Sequence, residues 1–404
     1  MKGILGKIWR FLSSHLLVAV CLMVVLGIVS GMWMPVALVR VFTTFNGMFS
    51  ALLSFVVPLL ILALVTSAIA ETSNGAGQML VWTIVLAYMS TVLAGLFSFG
   101  VSDWLFPKIV SADAACGANM EGVLPQEALA PYFNFVFPPI MDTMSALLLS
   151  FMLGMAMLKF AMPVLKGAVL ELKNVVMLII NRVVIPLLPI YIYGLFAKMT
   201  ASGEISMLAH VYVKVIGVML VMFVVVLVIQ YVVAGWVSHK NPFVLMRQMF
   251  PAFMMALASS SSAATLPVTM RCAEKMGAKK NVVDFVIPMC ANVHLSGAAI
   301  RTLAIVVATM LMWNVPYSFP QIVGFILLFS ITVLAAPGIP GGVIVAAVGM
   351  IETMLHFTPE MIALTVTLSI ALDSPGTAVN VCGDGALMMI VDKIVDEKKE
   401  QEEK

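Results

Sequence analysis

Charge is scarce in this sequence. Lys and Arg number 22 and Asp and Glu 20 among 404 residues, so only 10% of residues are charged while 62% are hydrophobic. A soluble domain carries about 25% charged residues, because its surface faces water. A surface this poor in charge has to face lipid, which excludes a soluble globular protein. The net charge of +2 offers no basic excess for nucleic acid, so we expect no nucleic-acid partner.

Cysteine is also scarce, and its placement argues against both disulfides and cysteine-ligated metals. The five cysteines, at positions 21, 116, 272, 290 and 382, show neither paired spacing nor the spacing of metal ligands. This pattern excludes a disulfide scaffold and a cysteine-ligated metal site. We expect these side chains to act mainly as small apolar packing groups, and no cofactor is predicted.

Long apolar runs dominate what is present. About 20 apolar residues in a helix cross the roughly 30 Å hydrocarbon core of a bilayer. Clear runs cover residues 14–34, 45–69, 79–101, 174–197 and 207–236, and less regular ones cover 131–158, 250–312, 321–352 and 359–391. The first run is too long for a signal peptide and leads directly into another span. The chain is therefore predicted to be an all-α polytopic membrane protein.

Basic residues predict the orientation of the spans, because cytoplasmic loops are enriched in Lys and Arg. They cluster at the amino terminus and in the segments 159–173, 240–247 and 271–280, whereas 313–320 and 353–360 have none. This alternation predicts eight transmembrane helices with both termini in the cytoplasm, and we expect a bacterial inner membrane. The tail 393–404 carries mixed charge and is predicted to be a disordered cytoplasmic segment.

Two polar interruptions predict re-entrant helical hairpins. A run of four serines, 259–262, breaks an apolar stretch that has basic residues at both ends. Residues 335–342, Ala-Ala-Pro-Gly-Ile-Pro-Gly-Gly, break another stretch whose flanks are poor in charge. The two hairpins should therefore enter the membrane from opposite sides. Irregular backbone at membrane depth survives only where it is buried in protein or lines a cavity.

Each hairpin is followed by an apolar helix with polar residues in its middle. The helix 281–312 contains His294, Ser296 and Arg301, and the helix 359–391 contains Asp373 and Asp384. A hairpin plus a broken helix thus occurs twice in opposite orientation. Inverted repeats with broken helices are typical of secondary transporters and place the binding site near the midplane of the bilayer.

At these positions the sequence resembles the dicarboxylate/amino acid:cation symporter family, which includes the glutamate transporters, and is closest in motif to the serine/threonine branch. The motifs are Ser260-Ser-Ser-Ala-Ala-Thr-Leu-Pro-Val-Thr-Met270, Gly338-Ile-Pro-Gly-Gly342 and Asp373-x3-Thr377-x2-Asn380-x3-Asp384. The resemblance is specific over 250–391. It implies a homotrimer in which residues 1–240 form mainly the scaffold, with the third and sixth helices joining the mobile part. Residues 241–392 would form a transport core that slides as an elevator.

The resemblance also implies a site for a small-molecule amino acid. Asp373 would hold the ammonium group with Thr377 beside it, and Ser262 and Asn380 would hold the α-carboxylate. The family's arginine for an acidic side chain is replaced by Gly376, which favours a small neutral substrate. The substrate-binding residues are then predicted to be Ser260, Ser261, Ser262, Thr265, Ala298, Arg301, Gly338, Pro340, Gly341, Asp373, Gly376, Thr377 and Asn380.

Arg301 has three interpretations. A lone arginine inside a membrane helix is costly unless it is paired. It could replace the missing arginine and restore specificity for an acidic amino acid or dicarboxylate. It could instead snorkel or pair with Asp284 or Glu352. A third alternative is that Asp373 pairs with Arg301 and not with a substrate amine.

Cation coupling departs furthest from the family pattern. The family's Asn-Met-Asp-Gly-Thr core aligns with His294-Leu-Ser-Gly-Ala298, which removes several expected sodium ligands. One Na⁺ site could remain at Asn380 and Asp384. Histidine titrates near neutral pH, so a pair of His294 and Asp384 could carry a proton in place of sodium. The residues predicted to couple a cation or proton are Cys290, His294, Ser296, Asn380 and Asp384.

Rival functions remain at this point. Serine, histidine and aspartate are the three residue types of a hydrolase triad, but the serine run lacks the strand and elbow motif of such enzymes, and we expect no enzyme. A uniporter with the same fold would only equilibrate its substrate, and a sensor would bind it without transport. Uptake against a gradient separates these alternatives.

Overall fold

A computed structural model describes residues 16–71, 77–116, 129–133, 135, 138–141, 143–203, 205–333 and 341–402. Within these ranges the chain is helical and contains no strand. The predicted all-helical class is thus confirmed. The predicted hairpin residues Gly338 and Pro340 lie outside the described residues.

The first half of the chain forms long apolar helices. They are α1 (Leu16–Gly31), α2 (Val36–Glu71), α3 (Gly77–Cys116), α4 (Thr143–Lys159), α5 (Pro163–Ile179), α6 (Ile185–Ala201) and α7 (Ile205–Ser238). A π-helical turn, Ile180–Val184, joins α5 to α6. These helices have few polar interruptions, as expected where backbone groups must be satisfied within the helix itself.

The second half forms shorter helices separated by breaks. They are α8 (Pro242–Ser259), α9 (Ser262–Lys275), α10 (Lys280–Val293), α11 (Ser296–Met312), α12 (Phe319–Thr332), α13 (Gly342–Leu355), α14 (Pro359–Ala371) and α15 (Asp373–Glu402). Helices α8 and α9 pack on one another, as do α12 and α13. Helices α14 and α15 meet at an angle of 58°.

The turn between α8 and α9 follows from its serines. Ser260 adopts a left-handed backbone with φ of 51°, which ends α8, and the side chain of Ser261 accepts a hydrogen bond from the Ala264 N–H to cap α9. Serine is a favoured N-cap because its hydroxyl satisfies an N–H that lacks a partner in the helix. Two residues therefore suffice to reverse the chain.

The helices pack in two groups. Helices α1, α2, α4, α5 and α6 contact one another extensively, whereas α3 and α7 pack chiefly on the helices of the second half. Helix α3 makes its largest contact with α11, and α15 packs on α7, α8 and α11. The core of the second group is thus built around α11 and α15.

Two expectations differ from the structure. Helix α3 continues to Cys116, well beyond residue 101, where the predicted apolar run ends. The tail predicted to be disordered is helical as far as Glu402, because its Glu, Lys and Gln residues favour helix and α15 continues into it without a stop signal. By length and composition, the described part of the chain has four helices able to cross a membrane, or five if α14 and α15 form one bent span.

Candidate substrate and coupling site

Asp373 begins α15 and lies opposite Arg301 of α11. The Arg301 side chain is 1% exposed, and its Nη1 donates to Asp373 Oδ1 and, at 3.4 Å, to the Leu372 carbonyl. The second carboxylate oxygen, Oδ2, accepts the Gly341 N–H at 2.9 Å. Asp373 is therefore bonded on both oxygens, by a guanidinium and by the backbone just before α13.

Arg301 reaches Asp373 because the facing helix has no side chain in its way. A Cβ at Gly376 would lie only 3.2 Å from Arg301 Nη1. The two helices also approach closely at Gly297, where a Cβ would lie 2.3 Å from the Gly376 carbonyl oxygen. Arg301 takes Asp373 as its partner, and the alternative partner Asp284 pairs instead with Lys280 at 3.3 Å.

The serine tip lies beside the start of α15. The hydroxyl of Ser260 is hydrogen-bonded to that of Ser374, the residue after Asp373. The Thr265 hydroxyl is buried and donates to the Ser261 carbonyl at 2.8 Å. Ser262, in the first turn of α9, is half-buried. The predicted hairpin residues are thus brought to the same place as Asp373.

Asn380 accepts hydrogen bonds from backbone N–H groups at the start of α11. Its Oδ1 accepts the N–H groups of Gly297, at 2.8 Å, and Ala298, at 3.4 Å. The residue before α11, Leu295, has no side chain able to cap the helix. A side chain from α15 therefore supplies the cap that the local sequence lacks. This oxygen was predicted as a sodium ligand, but in this structure it is already engaged by two donors.

His294 and Asp384 form a buried pair at the break between α10 and α11. The distance from His294 Nδ1 to Asp384 Oδ1 is 3.0 Å, and the side chains are 0% and 1% exposed. Asp384 Oδ2 is buried and has no hydrogen-bond partner in the part of the chain that the structure describes. Cys290, one turn earlier, is also buried, and its carbonyl accepts the His294 N–H at 2.9 Å.

Two further residues complete this cluster, and the sequence reasoning missed both. Ser90 Oγ of α3 lies 3.0 Å from His294 Nε2. Gln230 of α7 donates through its amide nitrogen to Ser90 Oγ and to Ser296 Oγ, each at 3.1 Å. Gln230 carried a usable signal, since an amide within an apolar span requires a partner. Ser90 carried none, because serine is common in membrane helices.

The cluster and the Asp373 region share α11 and α15. Thr377 and Ala298 are buried between them, with exposures of 8% and 2%. Within the described ranges, no group of three His, Cys, Asp or Glu side chains could hold a metal ion. The geometry thus offers an ion pair, a turn rich in hydroxyls and a titratable pair inside one helical core.

Comparison with known proteins identifies the family. The model of the sodium:dicarboxylate symporter family matches residues 16–394. The chain belongs to this family. Two relatives, each named serine/threonine transporter SstT, come from the AYE and SDF strains of Acinetobacter baumannii. They are 25% identical to this chain over 396 and 394 residues, which cover 95% of this chain and 97% of each relative.

Family membership settles the class of activity. The protein is a multi-pass membrane transporter that carries out cation-coupled symport of an amino acid or a dicarboxylate. Its partners are a small-molecule substrate and membrane lipid. It is a transporter and not an enzyme, which removes the hydrolase alternative. The resemblance stated from the motifs is confirmed and extends across the chain.

Because Asn380 caps α11, its replacement is predicted to destabilise the protein. We expect Asn380→Leu to lower the stability of the folded protein by about 1–3 kcal/mol, because two buried N–H groups lose their acceptor. Asn380→Asp keeps an acceptor oxygen and should retain more of the stability. The unfolding midpoint of the purified protein without substrate is the measurement.

Asn292 provides the matched control. It is an exposed residue of α10 that bonds only the Pro288 carbonyl of its own helix, at 3.2 Å. Asn292→Leu should leave the midpoint within error of the parent protein. Equal midpoints for Asn380→Leu and the parent protein would contradict the capping role.

Proposed function

We propose that this protein is an amino acid:cation symporter for a small neutral amino acid of the serine or threonine type. The observation that carries the proposal is Asp373, a buried carboxylate whose partners are a guanidinium and a backbone N–H. A carboxylate so placed is suited to hold a cationic group, and an α-ammonium is one. The relatives are named serine/threonine transporters, which supports the same substrate class.

The size of the site favours a short side chain. Gly376 and Ala298 offer no polar group to a second carboxylate, and Gly297 brings the backbones of α11 and α15 together. The alternative is an acidic amino acid or a dicarboxylate that uses Arg301. The observation that favours it is that Arg301 Nε and Nη2 are buried and no residue in the described ranges accepts a hydrogen bond from them.

For coupling we propose a proton carried by His294 and Asp384. The direct contact and full burial of the two side chains are the geometry expected of a proton-carrying pair within a membrane protein. The family name favours sodium instead. Asp384 Oδ2, which no described residue hydrogen-bonds, is one hard oxygen for sodium. A sodium site needs several, however, and Asn380 Oδ1 already accepts two N–H groups. An uncoupled uniporter is the remaining alternative.

The proposed mechanism is an elevator. Helices α3 and α7 would move with residues 241–392 as a transport core, while the other helices of residues 1–240 would form the scaffold of a homotrimer. The packing of α3 and α7 on the second half supports this division. We further propose eight transmembrane helices, two re-entrant hairpins and both termini in the cytoplasm of a bacterial inner membrane, with residues 393–404 as the charged tail.

Uptake of labelled L-serine into proteoliposomes tests the function. We expect accumulation driven by an inward proton gradient without sodium, and little competition from aspartate. Accumulation only under a sodium gradient would show that sodium, and not a proton, is the coupling ion. Equilibration without accumulation would indicate a uniporter, and uptake of aspartate but not serine would reverse the substrate proposal.

His294→Asn tests the coupling proton. We expect the variant to lose proton-driven accumulation and its dependence on pH, because asparagine does not titrate in this range. Initial uptake rates between pH 5.5 and 8.5, with and without sodium, are the measurement. An unchanged pH profile together with a stronger sodium dependence would refute the proton and support sodium.

His239→Asn is the matched control for this variant. His239 is exposed and lies outside the core, between α7 and α8, with φ of 54°. Asparagine tolerates this left-handed backbone, so the control should fold normally. It should keep the pH profile of the parent protein.

A further inference from the structure

The guanidinium of Arg301 is only partly used. Nη1 donates to Asp373 and to the Leu372 carbonyl, whereas Nε and Nη2 are buried and have no hydrogen-bond partner among the described residues. A buried N–H without an acceptor is costly, and more so on a charged group. An anionic acceptor at these atoms would therefore be strongly favourable.

We infer that Arg301 is the carboxylate-binding residue of the site and that, without substrate, its guanidinium stands in for the substrate's ammonium on Asp373. The inference rests on the proposed amino-acid function and specifies its substrate class. The ligand must carry both an amine and a carboxylate. Simple dicarboxylates are thereby excluded, although the family is named for them.

The shape of the guanidinium supports the first half of this inference. Its N–H groups form a rigid planar fork, and Nε and the adjacent Nη2 point in the same direction. Two parallel N–H donors match the two oxygens of a carboxylate. The edge of Arg301 formed by Nε and Nη2 is thus suited to bind both oxygens of one carboxylate, and it is separate from Nη1.

The surroundings of Asp373 support the second half. Asp373 Oδ2 keeps its bond to the Gly341 N–H, so only the contact of Oδ1 with Arg301 has to be exchanged. A primary ammonium can take the place of Nη1 on Oδ1. The guanidinium remains close to the site after this exchange, because the carboxylate of the same ligand accepts hydrogen bonds from Nε and Nη2.

Charge balance explains why the ligand must be zwitterionic. Arg301 and Asp373 together are neutral when they pair with each other. They remain neutral with a zwitterion between them, since each charge of the ligand faces an opposite one. A ligand with a carboxylate but no amine would instead leave a net negative charge buried in the site, which is strongly unfavourable.

Calorimetric titration of purified protein with four ligands tests the inference. The ligands are L-serine, ethanolamine, which lacks the carboxylate, 3-hydroxypropanoate, which lacks the amine, and succinate. We expect wild-type protein to bind serine at least about tenfold more tightly than the other three, since each lacks one charged contact.

Arg301→Gln gives the sharper outcome. Serine should bind about tenfold to a hundredfold more weakly, because its carboxylate loses a charged bidentate partner. Ethanolamine should bind more tightly than it does to wild-type protein, because no guanidinium competes for Asp373. A purely structural arginine would weaken every ligand alike.

Two variants control for folding. Arg301→Lys keeps the charge without the fork and should show an intermediate loss of serine binding. Arg271→Gln changes an exposed arginine on α9 and should bind all ligands as the parent protein does. Unfolding midpoints of all variants show whether they are folded under the conditions of titration.

The outcomes separate this inference from the proposed function. Binding of serine to Arg301→Gln within about twofold of wild type, or tight binding of succinate to wild type, would overturn the role of Arg301. If aspartate binds in place of serine and shows the same dependence on Arg301, the small neutral substrate fails and the role of Arg301 stands. If serine is transported and Arg301→Gln has no effect, the function stands and the role of Arg301 fails.

Discussion

Polar groups buried in an apolar helical core must find partners within the protein, and here one helix supplies several of those partners. Helix α15 presents Asp373, Asn380 and Asp384 at intervals of seven and four residues, which place them along one face. This face meets the guanidinium of Arg301, the free N–H groups at the start of α11, and His294 at the break before it. The interrupted helix is stable because α15 completes it, so these contacts fix the register of α11 against α15.

The two buried carboxylates have different partners and therefore different tasks. Asp373 faces a permanent cation, so the region around it is neutral when empty and stays neutral with a zwitterion bound. Asp384 faces a histidine, whose charge depends on pH. In this account the substrate crosses without adding net charge, and the charge moved in each cycle resides on the His294–Asp384 pair. Ser90 and Gln230, from α3 and α7, tie that pair to the helices proposed to move with the core.

Much of this site could be predicted because polar residues in apolar runs are conspicuous. The serine turn at 260–261 and the break at His294 were identified from sequence, and both carboxylates were placed near them. The partner of Arg301 could not be predicted, because Asp284, Glu352 and Asp373 were all available and only packing decides among them. The extension of α3 and the helical tail were missed for a related reason: a polar segment can continue a helix wherever no stop signal intervenes.

The structure of the protein with L-serine bound, determined by electron cryomicroscopy, tests the central claim most directly. The account predicts that the guanidinium of Arg301 has left Asp373, that the serine ammonium contacts Asp373, and that the serine carboxylate lies against Nε and Nη2 of Arg301. The Gly341 N–H should still contact Asp373 Oδ2. An intact contact between Arg301 and Asp373, with serine bound elsewhere in the protein, would contradict it.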